Sequence, residues 1–195
     1  MNFPLQISFK LLALSPQMAV VDAAGQSVLY VKQQMFKLKE AVKVYTNSDQ
    51  NQLVYEMKAD RILDFSANYT ITDSSGRQLG AVGRKGMRSL WSVHYVVSNT
   101  QGQELFSIRE ANPWIKVVDG LLESVAIVNL FTGYFLHPAY ILARPDGTQV
   151  MKVQKQAAFF EGKFAVEKLG QMSNDEENLG LLSSMMMLLL ERSRG

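Results

Sequence analysis

The 195-residue chain contains no cysteine and only two histidines, His94 and His137. No disulfide can brace it, and no thiolate can serve as nucleophile or metal ligand. That absence fits a reducing compartment, so the expected location is cytoplasmic. A metal centre would need carboxylate help at spacings that the chain does not offer, so no metal and no cofactor are expected. A histidine making one hydrogen bond is the simpler reading of each imidazole. Charge of one sign is scarce as well. Lys and Arg exceed Asp and Glu by 20 to 18, a net of +2 that is too small for a nucleic-acid surface. G-x-S-x-G, H-E-x-x-H and the P-loop are all missing. Gly80, Gly83 and Gly86 lie on strand-like sequence with no helix following, which excludes a dinucleotide loop. Paired acids such as Asp60 and Asp64 are explained by loop solvation. The N-terminus lacks a basic leader, and Lys10 interrupts its apolar run from Phe3 to Leu14.

What the chain does have is an apolar C-terminal stretch, Leu179–Leu190, reading LGLLSSMMMLLL. As a helix it shows Leu179, Leu182, Met186 and Leu190 on one side. The other side carries Leu181, Met185, Leu188 and Leu189. A helix apolar all round must be buried all round. At about 1.5 Å per residue it covers roughly 18 Å, short of the roughly 30 Å of a bilayer core. Its start is punctuated by Ser173 and Glu176, spaced as a capping box, with acids in the first turn; Arg192 and Arg194 suit the other end. The prediction is a helix over about 174–192 with a wall around it.

A second stretch, Ser124–Ala143, has no formal charge and a length near that of a membrane span. Asn129, Thr132-Gly133 and His137-Pro138 argue against a span, and Pro138 breaks a helix near its end. The prediction is a helix over about 113–130 opening on Pro113, then a glycine turn, then a strand Ala139–Arg144.

The wall is foreshadowed by a pattern that occurs four times: VVDAAGQSVLYV (20–31), ITDSSGRQLGAV (71–82), VSNTQGQELFSI (97–108) and LARPDGTQVMKV (142–153). Each is a strand-like run, a polar turn ending in Gly25, Gly76, Gly102 or Gly147, and a second strand-like run. Three residues past the glycine the side chain is always aliphatic: Val28, Leu79, Leu105, Val150. Six past, it is Val31, Val82, Ile108 or Val153. Asp, Asn or Ser satisfies the turn backbone and glycine takes positive φ, the chemistry of a hairpin. Strand-like sequence also covers Phe3–Leu12, Glu40–Asn47, Gln52–Lys58, Ser89–Val97 and Gly162–Glu167, giving roughly a dozen short strands. A closed sheet leaves no exposed edge, and a large one has room inside for the apolar helix.

The four D/N-x-x-G or P-D-G hairpins, together with a terminal helix preceded by KFAVEKLGQMSNDEEN, resemble the tubby-like C-terminal domain superfamily. The segment ITDSSGRQLGAVGRKGMRSLWSVHYVV looks like the repeated strand unit of its LURP-one-related and phospholipid-scramblase-like branch. The resemblance runs from about Gln17 to Leu190. It implies a mainly β fold over one domain, 1–195: a closed barrel of about twelve mostly antiparallel strands around a central hydrophobic C-terminal helix, with one helical insertion. It also implies a non-enzymatic module for anionic phospholipid headgroups or a protein partner at the membrane surface. A scramblase-like, lipid-active protein engaging a bilayer through Val117–Ala143 is the alternative, and an enzyme without a recognisable motif is a third. No loop has the alternating oxygen ligands and glycine of a calcium site.

The clearest basic cluster is Arg84-Lys85-Gly86-Met87-Arg88. Arg84, Lys85 and Arg88 are the candidate headgroup contacts, because an arginine fork and a lysine point charge both suit phosphate. A solvated turn is the plainer reading of the same residues. Lys37, Lys39 and Lys43 alternate along a second hairpin and would either extend the patch or guard a sheet surface. Trp91, Trp114, Phe159 and Phe160 read as core or barrel-rim residues.

Overall fold

The computed structural model describes residues 1–10, 17–32, 41–60, 67–85, 93–111, 138–158 and 161–193. The expected helix at 113–130 lies outside them, as do Lys37, Lys39, Arg88, Trp91, Trp114, His137, Phe159 and Phe160. Among the described residues the chain forms twelve strands: β1 (Leu5–Lys10), β2 (Gln17–Val21), β3 (Ser27–Lys32), β4 (Ala41–Tyr45), β5 (Leu53–Ala59), β6 (Asn68–Asp73), β7 (Gln78–Arg84), β8 (His94–Ser98), β9 (Glu104–Glu110), β10 (Ala139–Ala143), β11 (Gln149–Gln156) and β12 (Glu161–Lys168). Helix α1 (Asn174–Arg192) follows. Every strand pairs antiparallel with its neighbour in sequence, and β1 closes on β12, so the sheet is a barrel without edges.

The repeated hairpins are what curl the sheet. In three of them an Asx side chain organises the turn. Asp22 Oδ1 accepts the N–H of Ala24 and of Gln26, both at 2.9 Å. Asp73 does the same for Ser75 and Arg77, both at 3.0 Å, and Asn99 for Gln101 and Gln103, both at 2.9 Å. The turn glycines take φ from 77° to 89°, left-handed values that cost a side chain about 1–2 kcal/mol. Next to each turn the register slips, at Val20/Val21, Ile71/Thr72, Val97/Ser98 and Leu142/Ala143. Such bulges sharpen local twist. The fourth turn differs: Arg144 stands three residues before its glycine, where the others have Asp or Asn, and its side chain does another task.

Beyond each glycine the strand alternates. Residues six past it point inward: Val31, Val82, Ile108 and Val153 are all 0–1% exposed. Of those three past it, Val28, Leu79 and Leu105 are half-buried and Val150 is fully buried. An odd difference of three puts the two sets on opposite faces.

Helix α1 fills the interior. Every residue from Leu179 to Leu189 is buried. The capping box is formed: Ser173 Oγ accepts the Glu176 N–H at 3.3 Å, and Glu176 Oε2 accepts the Ser173 N–H at 2.8 Å. The wall must thin where the helix passes close. At Gly80 a Cβ would lie 2.3 Å from the carbonyl oxygen of Ser98 and 3.0 Å from Leu179 Cδ2. At Gly180 it would meet Leu142, Met172 and Met151 at 3.2–3.4 Å.

Candidate functional site

The barrel has two chemically different ends. All the glycine turns lie at the end where α1 begins. There the acids Asp22, Asp73, Asp146, Asp175, Glu176 and Glu177 outnumber the bases, and each of the three bases is tied to an acid of the helix start. Arg77 Nη1 lies 3.1 Å from Asp175 Oδ2, Arg144 Nη1 2.7 Å from Glu176 Oε1, and Lys168 Nζ 2.5 Å from Glu177 Oε1. Arg144 also donates to the carbonyl of Gln171 at 3.1 Å and covers the Phe106 ring. Asp73 is held at about 2, below the usual carboxylate range, by the Ser75 hydroxyl first and the Arg77 guanidinium second. Acids at a helix N-terminus are favoured by its dipole.

At the opposite end, where α1 finishes, the exposed charged groups among the described residues are mostly cations. Lys10, Lys32, Lys58, Lys85, Arg109 and Lys155 are all exposed and stand at or within one residue of strand ends there. Asp60 and Glu104 are exposed carboxylates near them among the described residues, Glu104 lying 3.9 Å from Lys85 Nζ. This separation is invisible in a net charge of +2.

Just inside that mouth sits a polar latch. Gly80, Val82 and Arg84 share the inward face of β7, and Arg84 is 8% exposed in its side chain. Its Nη1 lies 3.3 Å from Glu191 Oε1 on α1, and its guanidinium covers the Tyr95 ring at 5.8 Å. Tyr95 donates its hydroxyl to the same carboxylate oxygen at 2.7 Å. Burial first, then Glu191, raises the Tyr95 phenol well above its ordinary value. Tyr140 is pushed up to about 12, again by burial first, with Glu110 and Glu191 adding. Both phenols therefore stay protonated, and Tyr95 is the donor to Glu191.

The cluster read as one basic tip is thus divided. Strand β7 runs through Arg84, and consecutive strand residues face opposite ways. Arg84 turns in to the helix, and Lys85 turns out, 57% exposed, with Nζ 3.9 Å from Glu104 Oε2. Arg88 lies outside the described residues. Lys43 is exposed on β4 opposite Glu56.

The structure places beside Lys85 two residues that the linear sequence did not connect with it. His94 pairs with Arg109 in the β8–β9 register, and the Lys85 N–H donates to the His94 carbonyl at 3.0 Å. Lys85, His94 and Arg109 therefore stand side by side on the outer wall of three adjacent strands. The His94 Nε2 is shielded from water and has no hydrogen-bond partner among the described residues. Its pKa lies below the ordinary histidine value because of burial first, then Arg109, then Lys85. Only pairing across the sheet reveals this row; no local motif marks it. No group of three or more His, Asp or Glu able to hold a metal occurs among the described residues.

An edgeless antiparallel barrel threaded by an apolar C-terminal helix is the tubby-like architecture. The LURP-one-related family model matches residues 27–167, and the chain belongs to that family. A crystal structure of an Arabidopsis thaliana protein aligns over 97% of this chain and 91% of its own, with a TM-score of 0.50 and 10% identity. At that identity the likeness speaks for the fold alone. No curated protein matches the sequence. The family and the fold are compatible with a non-enzymatic binding module.

Proposed function

We propose that this protein is a non-enzymatic binding module that presents the cationic end of its barrel to an anionic phospholipid surface, at the cytoplasmic side of a membrane. The observation that carries the reading is the separation of charge along the barrel axis. Among the described residues Lys10, Lys32, Lys58, Lys85, Arg109 and Lys155 share one end, while Asp22, Asp73, Asp146, Asp175, Glu176 and Glu177 stand at the other. Each Lys or Arg near an anionic leaflet contributes about 1 kcal/mol, and the effect falls off within a Debye length of about 8 Å at physiological salt. A polar charge distribution also orients the molecule as it approaches. Of the residues expected to contact headgroups, Lys85 keeps that role, and Arg84 serves the helix.

Co-sedimentation with phosphatidylglycerol-containing vesicles tests this. Wild type should pellet at low salt and be released as salt rises. Lys10→Glu/Lys32→Glu/Lys58→Glu should stay in the supernatant. Equal pelleting of both proteins, or none of the wild type, sinks the reading; in the second case a protein partner becomes the next ligand class to test. The uncharged stretch on which a scramblase-like activity would rest lies, up to His137, outside the described residues, and no helix among the described residues is long and apolar enough to cross a membrane.

A further inference from the structure

We propose that the row Lys85–His94–Arg109 on the outer wall is a binding site for a phosphomonoester dianion, with His94 the residue that selects it over a phosphodiester. The register fixes the geometry. His94 and Arg109 are direct cross-strand partners, and Lys85 is hydrogen-bonded to His94 through the backbone. Their in-chain neighbours Arg84, Tyr95, Ile108 and Glu110 take the inward face, so the three basic side chains share the outward one.

Like charges directly opposite each other destabilise a sheet. Here a lysine, an imidazole and an arginine are neighbours, and the carboxylate that faces them, Glu104, reaches only Lys85, at 3.9 Å. The charged groups facing His94 are Lys85 from the end of β7 and Arg109 and Glu104 from β9. In the empty row a proton on His94 is opposed by burial and by both cations. A phosphate seated between them reverses both effects. Arg109 offers a guanidinium fork, Lys85 a point charge, and protonated His94 a third positive charge beside them. A phosphomonoester has a second pKa of about 6 and carries about −1.5 to −2 at neutral pH, whereas a diester carries a single charge. Three positive groups match the dianion. A monoester therefore binds together with a proton on His94, and a diester gains little from it.

The inference deepens the membrane reading, which gives the phosphate a lipid source, but the site's chemistry is the same for a free phosphomonoester. Two arms separate the sources. In the first, His94 imidazole resonances are followed by NMR over pH with glycerol phosphate, a monoester, or dimethyl phosphate, a diester. The monoester should raise the His94 pKa by about one unit, as a nearby opposite charge does, and the diester should leave it in place. In the second, vesicles carrying phosphatidic acid or phosphatidylglycerol at matched charge are compared at about pH 6 and about pH 8. Wild type should prefer phosphatidic acid by about tenfold at the lower pH, the effect of one added positive charge beside the phosphate. His94→Gln should bind both lipids like the diester lipid, with an unchanged melt. Equal pKa shifts with both small phosphates overturn the site, as does a monoester preference kept by His94→Gln. A His94 shift with glycerol phosphate but no vesicle binding upholds the site and overturns the membrane reading. Binding to both lipids without preference does the reverse.

Discussion

Arg84 on the barrel wall lies 3.3 Å from Glu191 near the end of the central helix, 107 positions further along the chain (191 − 84). The pair closes the cationic mouth from inside, as Arg77, Arg144 and Lys168 grip the helix start at the other end. The helix is thus fixed by charge at both ends and by apolar packing between them.

Arg84→Met takes the guanidinium away from Glu191, which keeps the Tyr95 hydroxyl. Breaking a buried ion pair costs about 3–5 kcal/mol, and Glu191 keeps 24% of its side-chain surface, so the loss for Arg84→Met should be about 2 kcal/mol. The urea midpoint should fall accordingly. Arg84→Met/Glu191→Gln should recover part of the loss, since no charge is then left without its partner and the Tyr95 hydroxyl keeps an acceptor. A double variant weaker than either single one would show that the pair does not act as a unit.

Met186 is fully buried in the middle of the helix. Met186→Asp puts a carboxylate where neither water nor a partner reaches it. The purified variant should show no cooperative thermal transition, while Met186→Leu should lose less than about 1.5 kcal/mol. A cooperative melt for Met186→Asp near that of wild type would mean the helix is peripheral.

Gly80 and Gly162 offer a paired test of the wall. Glycine within a strand is ordinarily worse than alanine by about 0.5–1 kcal/mol. Gly80→Ala should nevertheless destabilise by about 1–3 kcal/mol, because its Cβ would stand 2.3 Å from the Ser98 carbonyl oxygen. Gly162→Ala meets Phe9 at 3.6 Å, an ordinary contact, and should be neutral or stabilising. Equal melting temperatures for the two variants would contradict the close passage at Gly80.

Asp73 carries a pH dependence with a definite sign. Its pKa is lowered from 3.8 to about 2, so its charge favours the folded state at every pH above 3.8. That contribution fades as pH falls towards about 2. Asp73→Asn keeps the turn acceptor, as Asn99 does in the third hairpin, but loses the charge. Its melting temperature should lie below that of wild type near neutral pH, and the gap should close between about pH 4 and about pH 2. A gap that stays constant would assign the effect to turn geometry alone.

The hairpins, the capping box and the helix limits could be read in the sequence because each depends on residues within a few positions of one another. Where the described residues allow comparison, strand ends moved by one or two positions: the run read as Ser89–Val97 continues to Ser98, and that read as Glu40–Asn47 ends at Tyr45. The inward place of Arg84 is not legible in the sequence, because the alternation Gly80, Val82, Arg84 starts with two residues too small or too ordinary to announce a buried guanidinium. His94 and Arg109 gave no signal at all, since their meeting depends on register.

Local chemistry determined what this chain makes: Asx–glycine turns, short alternating strands and a helix with no polar face, which together require a closed sheet around it. Tertiary structure alone decided where the charges fall. Turn chemistry fixes each hairpin, but only the antiparallel order of the strands and the closure of β1 on β12 gather the turns and their acids in a ring at one end and the exposed lysines and arginines of the described residues at the other. The physical reason is distance. A turn or cap is settled by atoms a few residues apart, whereas an electrostatic face and a cross-strand row are sums over residues far apart in the chain, and they exist only once the register does.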